Sequence, residues 1–170
     1  TILDPHHVVI DVRDLSASSA GHIPSAVAMP TSELQGLREQ FVKEQRKAEL
    51  PGVKDQRAQI VLYADNHTDQ NLLLAYKELR EWGYGKTTVL EGGLSQWTAE
   101  GRPTQSGPAA RQITYVKQLA PGAISVEEFA ALEKSRKGVT FLDVRTDQET
   151  ASGVLKGAIH ISLDSLDTSL

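Results

Sequence analysis

The chain has 170 residues, 39% hydrophobic and 24% charged, and a formal net charge of −4. This is the balance of an ordinary soluble globular protein with room for one good core, or for one domain and part of another, and its mildly acidic character disfavours nucleic acid or an anionic membrane as partner. No apolar run approaches the ~20 residues that would cross a bilayer, and the lack of cysteine excludes a disulfide framework, a zinc–thiolate site and a thiol nucleophile while leaving the compartment, cytoplasmic or periplasmic, undecided.

The first predicted element is Val8-Val9-Ile10-Asp11-Val12-Arg13, a β-branched run ending in charge, as expected of a buried parallel strand. Gly21 to Pro30 follows as a turn and a short extended segment. Ser32 to Lys47 carries Leu34, Leu37, Phe41 and Val42 among charges and predicts an amphipathic helix with Ser32 as N-cap. Ile60 to Tyr63 is a second buried strand, followed by the polar loop Ala64-Asp65-Asn66-His67-Thr68-Asp69-Gln70. Asn71 to Trp82 has Leu72, Leu73, Ala75, Tyr76 and Leu79 at helical spacing, with Gly83 closing it. Thr87 to Leu90 is a third strand, Gly92-Gly93 marks a strand end where positive φ or close approach excludes a side chain, and Leu94 to Glu100 is a short helix around Trp97. Alternation of strand and helix predicts an α/β fold with a central, mainly parallel sheet and helices on both faces. Gly101 to Ala110, rich in Gly, Pro and small residues, has linker composition.

Beyond the linker the pattern returns. Asp11, Arg13, Gly21, Ala26 and Leu34 are matched by Asp143, Arg145, Gly153, Ala158 and Leu166 at one constant spacing of 132 residues, which is the signature of an internal repeat. Ser125 with Glu128 three residues on predicts a capped helix start. At that spacing the second copy of the Ala64 loop falls near position 196, and the first copy of Ser125 falls before Thr1, so the expected organisation is one nearly complete unit and the beginning of another. Residues 124–166 are too few to bury a core by themselves.

Taken in order, Asp11-Val12-Arg13, Gly21-His22-Ile23-Pro24-Ser25-Ala26, the strand Ile60 to Tyr63 before its loop, and Leu90-Glu91-Gly92-Gly93 with Trp97 resemble the rhodanese-like (sulfurtransferase) domain family. The resemblance covers residues 8–103 and restarts from about 124 to 166. It implies the three-layer rhodanese-like fold, with residues 1–103 as one domain, 104–123 as linker and 124–170 as the truncated start of a second. The family's enzymes carry a cysteine directly after the second strand, on a loop of the form Cys-x-x-Gly-x-Arg, where loop amides and a helix N-terminus lower the thiol pKa and hold a sulfur-bearing anion. By this resemblance Ala64 stands at the cysteine position, His67 at the glycine and Asp69 at the arginine. Thr68 is expected as the next helix's N-cap and Asp69 in its first turn, complementing the helix dipole.

The loop Ala64, Asp65, Asn66, His67, Thr68 and Asp69 is therefore read as a degenerate active site with no catalytic residue. Asp65, His67 and Asp69 alternate as metal ligands might be drawn, but one polar loop without a second ligand cluster more often is simply solvated, and no metal or cofactor is expected. Asp11 and Arg13 are read as a structural ion pair rather than ligand contacts, and Trp82 and Trp97 as core. The expected function is that of a catalytically inactive structural or interaction unit. The alternative is a part of a thiosulfate-type sulfurtransferase whose cysteine lies further along a longer chain. The expected partners are other rhodanese-like domains of the same full-length chain or a second copy, with a sulfur-bearing anion only in the complete protein.

Overall fold

The computed structural model describes Asp4 and residues 6–165, in two compact units that divide after Gln118. In the first unit, β1 (His7–Asp11), β2 (Val27–Ala28), β3 (Gln59–Tyr63) and β4 (Thr87–Val89) form one sheet in the order β2-β1-β3-β4. All neighbours are parallel, with Val9 opposite Val61, Ile10 opposite Val27 and Leu62 opposite Val89. The fold class read from the alternation of elements is the one observed: a parallel sheet between helical layers.

Strand alternation divides the core in two. Val8, Ile10, Val12, Ile60 and Leu62 pack with Leu34 of α2 (Thr31–Lys43) and with Leu72, Ala75 and Leu79 of α3 (Gln70–Glu81). On the opposite face Val9 and Tyr63 pack with Ile23, Ala26, and Leu94 and Trp97 of α4 (Gly93–Ala99). The two larger helices are clasped by Glu78, a buried carboxylate that accepts from Trp82 Nε1 (2.8 Å) and from Arg38 (3.0 Å), and Trp82 meets Phe41 edge-on at 6.1 Å.

Both ends of α2 differ from expectation, α3 and α4 each lie one residue earlier than expected, and a further helix appears. Helix α2 begins at Thr31, with Pro30 rather than Ser32 at its cap; proline's fixed φ suits the entry to a helix and its missing N–H costs nothing there. It ends at Lys43 rather than Lys47, because Gln45 turns left-handed (φ 52°). Helix α1 (Leu15–Ala20) buries only Ser18 and has no apolar stripe to announce it.

The segment of linker composition runs along the free edge of β2. His22 and Gln105 pair antiparallel, the Ala28 N–H donates to the Ala110 carbonyl (2.8 Å), and Arg111 Nη2 grips both Glu33 carboxylate oxygens (2.6 and 2.7 Å). The Val116 carbonyl lies 2.8 Å from His6 Nδ1. Backbone pairing, which composition does not encode, thus closes an edge that would otherwise be open.

In the second unit, α5 (Val126–Ser135) starts on the expected capping box of Ser125 and Glu128, followed by β5 (Leu142–Asp143), α6 (Asp147–Thr150) and β6 (Ile159–His160). Strands β5 and β6 pair in parallel, with Leu142 opposite Ile159 and Asp143 opposite His160. None of the described residues 119–165 is buried; Val126 is 80% and Leu163 66% exposed. Two short strands without a buried side chain give little protection to their hydrogen bonds. In hydrogen exchange on the intact chain, the amides of Ile159 and Ile161 are expected to exchange orders of magnitude faster than those of Ile60 and Leu62; equal protection would show a core that the burial pattern lacks.

Candidate functional site

The carboxyl ends of the strands converge on one cleft, as is usual for ligand sites in open parallel sheets. Its walls are Val12, Arg13 and Asp14 after β1, Pro30 to Ser32 and Gln35 at the start of α2, and Ala64, Asp65, Asp69 and Asn71 around the start of α3, enclosing about 280 Å3. Sequence reading found the β3–α3 loop but not Asp14, Thr31, Ser32 or Gln35, which only the juxtaposition of three strand ends brings to it.

Beneath the cleft lies a polar network. Asp11 is fully buried. Arg13 holds it through Nε (2.9 Å) and Nη2 (2.7 Å), and the same Nη2 donates to the Gly21 carbonyl (2.7 Å). Tyr63 Oη donates to Asp11 Oδ2 (3.0 Å) and accepts from the Ile23 N–H (3.0 Å). Arg13 Nη1 reaches across to Asp65 (2.8 Å), tying the β3–α3 loop to the loop after β1. Burial by itself would lower the Arg13 pKa, but the bonds to Asp11 and Asp65 outweigh it and hold the guanidinium above its ordinary value. Burial raises the Tyr63 phenol, and the neighbouring Asp11 carboxylate raises it further.

The loop itself is satisfied from within. Ala64 is buried, and its carbonyl accepts from the Leu94 N–H (2.9 Å), while the Asp65 carbonyl accepts from Ser95 (2.9 Å). Asn66 Oδ1 accepts from the backbone N–H (3.0 Å) and hydroxyl (2.6 Å) of Thr68. His67 Nδ1 accepts from the Gly92 N–H (3.0 Å), so its proton sits on Nε2, 3.8 Å from Glu91. The cap of α3 is not Thr68, as expected, but Asp69, whose Oδ1 takes the N–H groups of Asn71 (2.8 Å) and Leu72 (3.1 Å). A carboxylate reaches both orphan amides and carries the charge that the helix dipole favours; Thr68 is instead occupied by Asn66. Among the described residues no group of His, Asp and Glu is arranged to hold a metal ion; Asp65 points to Arg13, His67 to Gly92 and Asp69 into the helix end.

Gly92 and Gly93 both have positive φ (65° and 59°), and a Cβ on Gly93 would lie 2.6 Å from the Ala64 carbonyl oxygen and 2.7 Å from Asn66 Cα. The backbone of the loop therefore rests directly on the start of α4, which requires glycine on both counts.

Residues 2–100 match the rhodanese-like domain family. The chain belongs to that family. It is 27% identical over 164 residues to the protein named "Putative thiosulfate sulfurtransferase 1" of Mycobacterium bovis, covering 91% of this chain and 57% of that one, and 28% identical over 158 residues to a like-named protein of Saccharopolyspora erythraea, covering 90% and 55%. The chain thus spans somewhat over half the length of these relatives. Among solved structures, SseA of Escherichia coli, described as a 3-mercaptopyruvate sulfotransferase, shares the fold with a TM-score of 0.50 at 21% identity, over 94% of this chain and 69% of that one. Among the described residues no helix is long and apolar enough to cross a membrane.

The rhodanese-like core should depend on the Tyr63 hydroxyl. Tyr63→Phe leaves the buried Ile23 N–H without its acceptor and removes one donor from Asp11, and is expected to lower unfolding stability by about 1–3 kcal/mol in a denaturant titration at pH 8. Because the folded state raises the Tyr63 pKa, its contribution is complete below the unfolded value of about 10 and declines as pH rises above it. The variant should therefore lose stability less steeply than wild type above about pH 10; parallel curves would show that Tyr63 does not titrate with unfolding.

Proposed function

We propose that this chain is a catalytically silent rhodanese-like unit that acts through its fold, as a structural or interaction partner of another such unit. The observation that carries this is Ala64. It stands, by resemblance, at the family's cysteine position directly after β3, its side chain has no nucleophilic atom, and the chain has no cysteine to substitute for it. The surroundings support the reading. The amides of Thr68, Asn71 and Leu72 are engaged by Asn66 and Asp69, Arg13 is committed to Asp11 and Asp65, and Asp14, Asp65 and Asp69 line the cleft. An incoming sulfur-bearing anion would meet carboxylates and few free donors.

A second reading is favoured by the arrangement of the second unit. Arg145 grips Asp143 through Nε (2.9 Å) and Nη2 (2.6 Å) and donates to the Gly153 carbonyl (2.9 Å), the bonds that Arg13 makes to Asp11 and Gly21. Bonds from Met29 to Asp11 and from Thr31 to Val12 recur from Ile161 to Asp143 and from Leu163 to Val144, each shifted by 132 positions. This supports a tandem repeat, and with the partial coverage of the relatives it supports a longer protein in which the silent unit stands beside a cysteine-bearing one and the pair acts as a thiosulfate-type sulfurtransferase.

A cyanide–thiosulfate assay tests the first reading: the 170-residue polypeptide should give no thiocyanate above the buffer blank, and turnover would overturn it. Ala64→Cys alone should add little, because Asp69 and Asn66 still occupy the amides an anion needs; strong activity from that single change would show that the thiol was the only missing part. For the second reading, a longer chain with a cysteine near position 196 should be active and lose that activity on mutation of that cysteine to serine.

A further inference from the structure

The amino ends of the strands carry the electrostatic opposite of the cleft. Lys47 and Glu49 after α2, Lys54, Asp55, Gln56 and Arg57 before β3, Tyr84 before β4, and Lys117 line an open groove of about 640 Å3 that shares no residue with the cleft. Its four cations come from three separate stretches of chain, in a protein whose formal net charge is −4. Both carboxylates are already engaged: Asp55 accepts from the Arg57 backbone N–H (2.9 Å) and from Tyr115 Oη (3.2 Å), and Glu49 lies 3.9 Å from Arg46. The cations are not. None of Lys47, Lys54, Arg57 and Lys117 has a side-chain hydrogen bond or ion pair among the described residues. Every other arginine has one: Arg13, Arg38, Arg46, Arg102, Arg111, Arg136 and Arg145 are paired with carboxylates, and Arg80 bonds the Gly85 carbonyl. Arg57 is the exception, and it faces this groove.

We infer that the groove is a binding site for a small soluble polyanion carrying two or more phosphate or sulfate groups. Four cations against the two carboxylates of Glu49 and Asp55 leave the groove net positive, and a ligand that meets several of these cations at once gains more than one that meets a single lysine. A planar guanidinium offers two parallel N–H donors that match a tetrahedral oxyanion, and the lysines add point charges at other positions of the rim. Their origin in separate segments suits a ligand with several anionic groups rather than one. The floor is rigid, since Tyr84 Oη is fixed between the Leu50 N–H (2.7 Å) and the Val53 carbonyl (2.6 Å), and Gln56 donates to the Trp82 carbonyl (2.9 Å). The volume lies in the range of small-molecule sites, while the acidic remainder of the surface opposes a long polyanion such as nucleic acid.

The test is a two-dimensional amide NMR titration of the intact chain with sodium tripolyphosphate at low ionic strength. Expected are saturable shifts confined to residues 47–57, 84 and 115–118, weaker binding of orthophosphate, and loss of affinity as salt is added. The double variant Lys54→Ala, Arg57→Ala should bind about tenfold more weakly; both residues are exposed, so an unchanged spectrum without ligand confirms that the fold is intact. Shifts centred on residues 64–72, no saturable shifts at millimolar ligand, wild-type affinity in the variant, or tighter binding of a polyglutamate peptide or duplex DNA would each overturn the assignment.

Discussion

The buried Asp11 carboxylate and the Arg13 guanidinium that neutralises it are the pair on which the rest of the first unit depends. A lone charge at Asp11 would be strongly unfavourable in the core, so its partners are held in place around it: Arg13 from the loop after β1, Tyr63 at the end of β3, and through them Gly21, Ile23 and Asp65. One ion pair thereby ties the ends of β1 and β3 to the turn before β2 and to the loop that closes the cleft. The second unit shows what the pair is without that setting. Arg145 and Asp143 make the same mutual bonds, and these lower the Asp143 carboxyl to about 2, yet the Arg145 side chain is 45% exposed where Arg13 is 10%. Among the described residues no strand pairs with β5 as β3 pairs with β1, so no equivalents of Tyr63 and Asp65 are held against this pair.

The donors around the cleft are engaged within the fold. A helix N-terminus, a glycine pair against the loop and an arginine at the rim are all present, but Asp69 caps the helix, Asn66 takes the Thr68 amide, His67 takes the Gly92 amide and Asp65 takes the arginine. These bonds make the loop self-sufficient, so the fold does not need a ligand there.

Much of this was legible in the chain because it rests on local chemistry. The buried strands announced themselves by β-branched runs, α3 by its 3.6-residue apolar period, the start of α5 by its capping box, and the Asp-x-Arg pair by its return at a fixed spacing. What failed to show was decided across distance or by a single backbone torsion. Helix α1 has no apolar stripe, the end of α2 depends on one left-handed residue, and the cap of α3 passed from Thr68 to Asp69 because Asn66 competes for the threonine.

The sequence by itself determined the fold class, the family and the lack of a thiol in the loop, since periodicity, motif order and residue identity are properties of the chain alone. Only the tertiary structure decided which groups share a cleft, that residues 105–111 close the edge of β2, and that Lys47, Lys54, Arg57 and Lys117 meet at the opposite end of the sheet. Those are consequences of parallel strand order, which brings together residues far apart in the chain, and no local pattern records such neighbours.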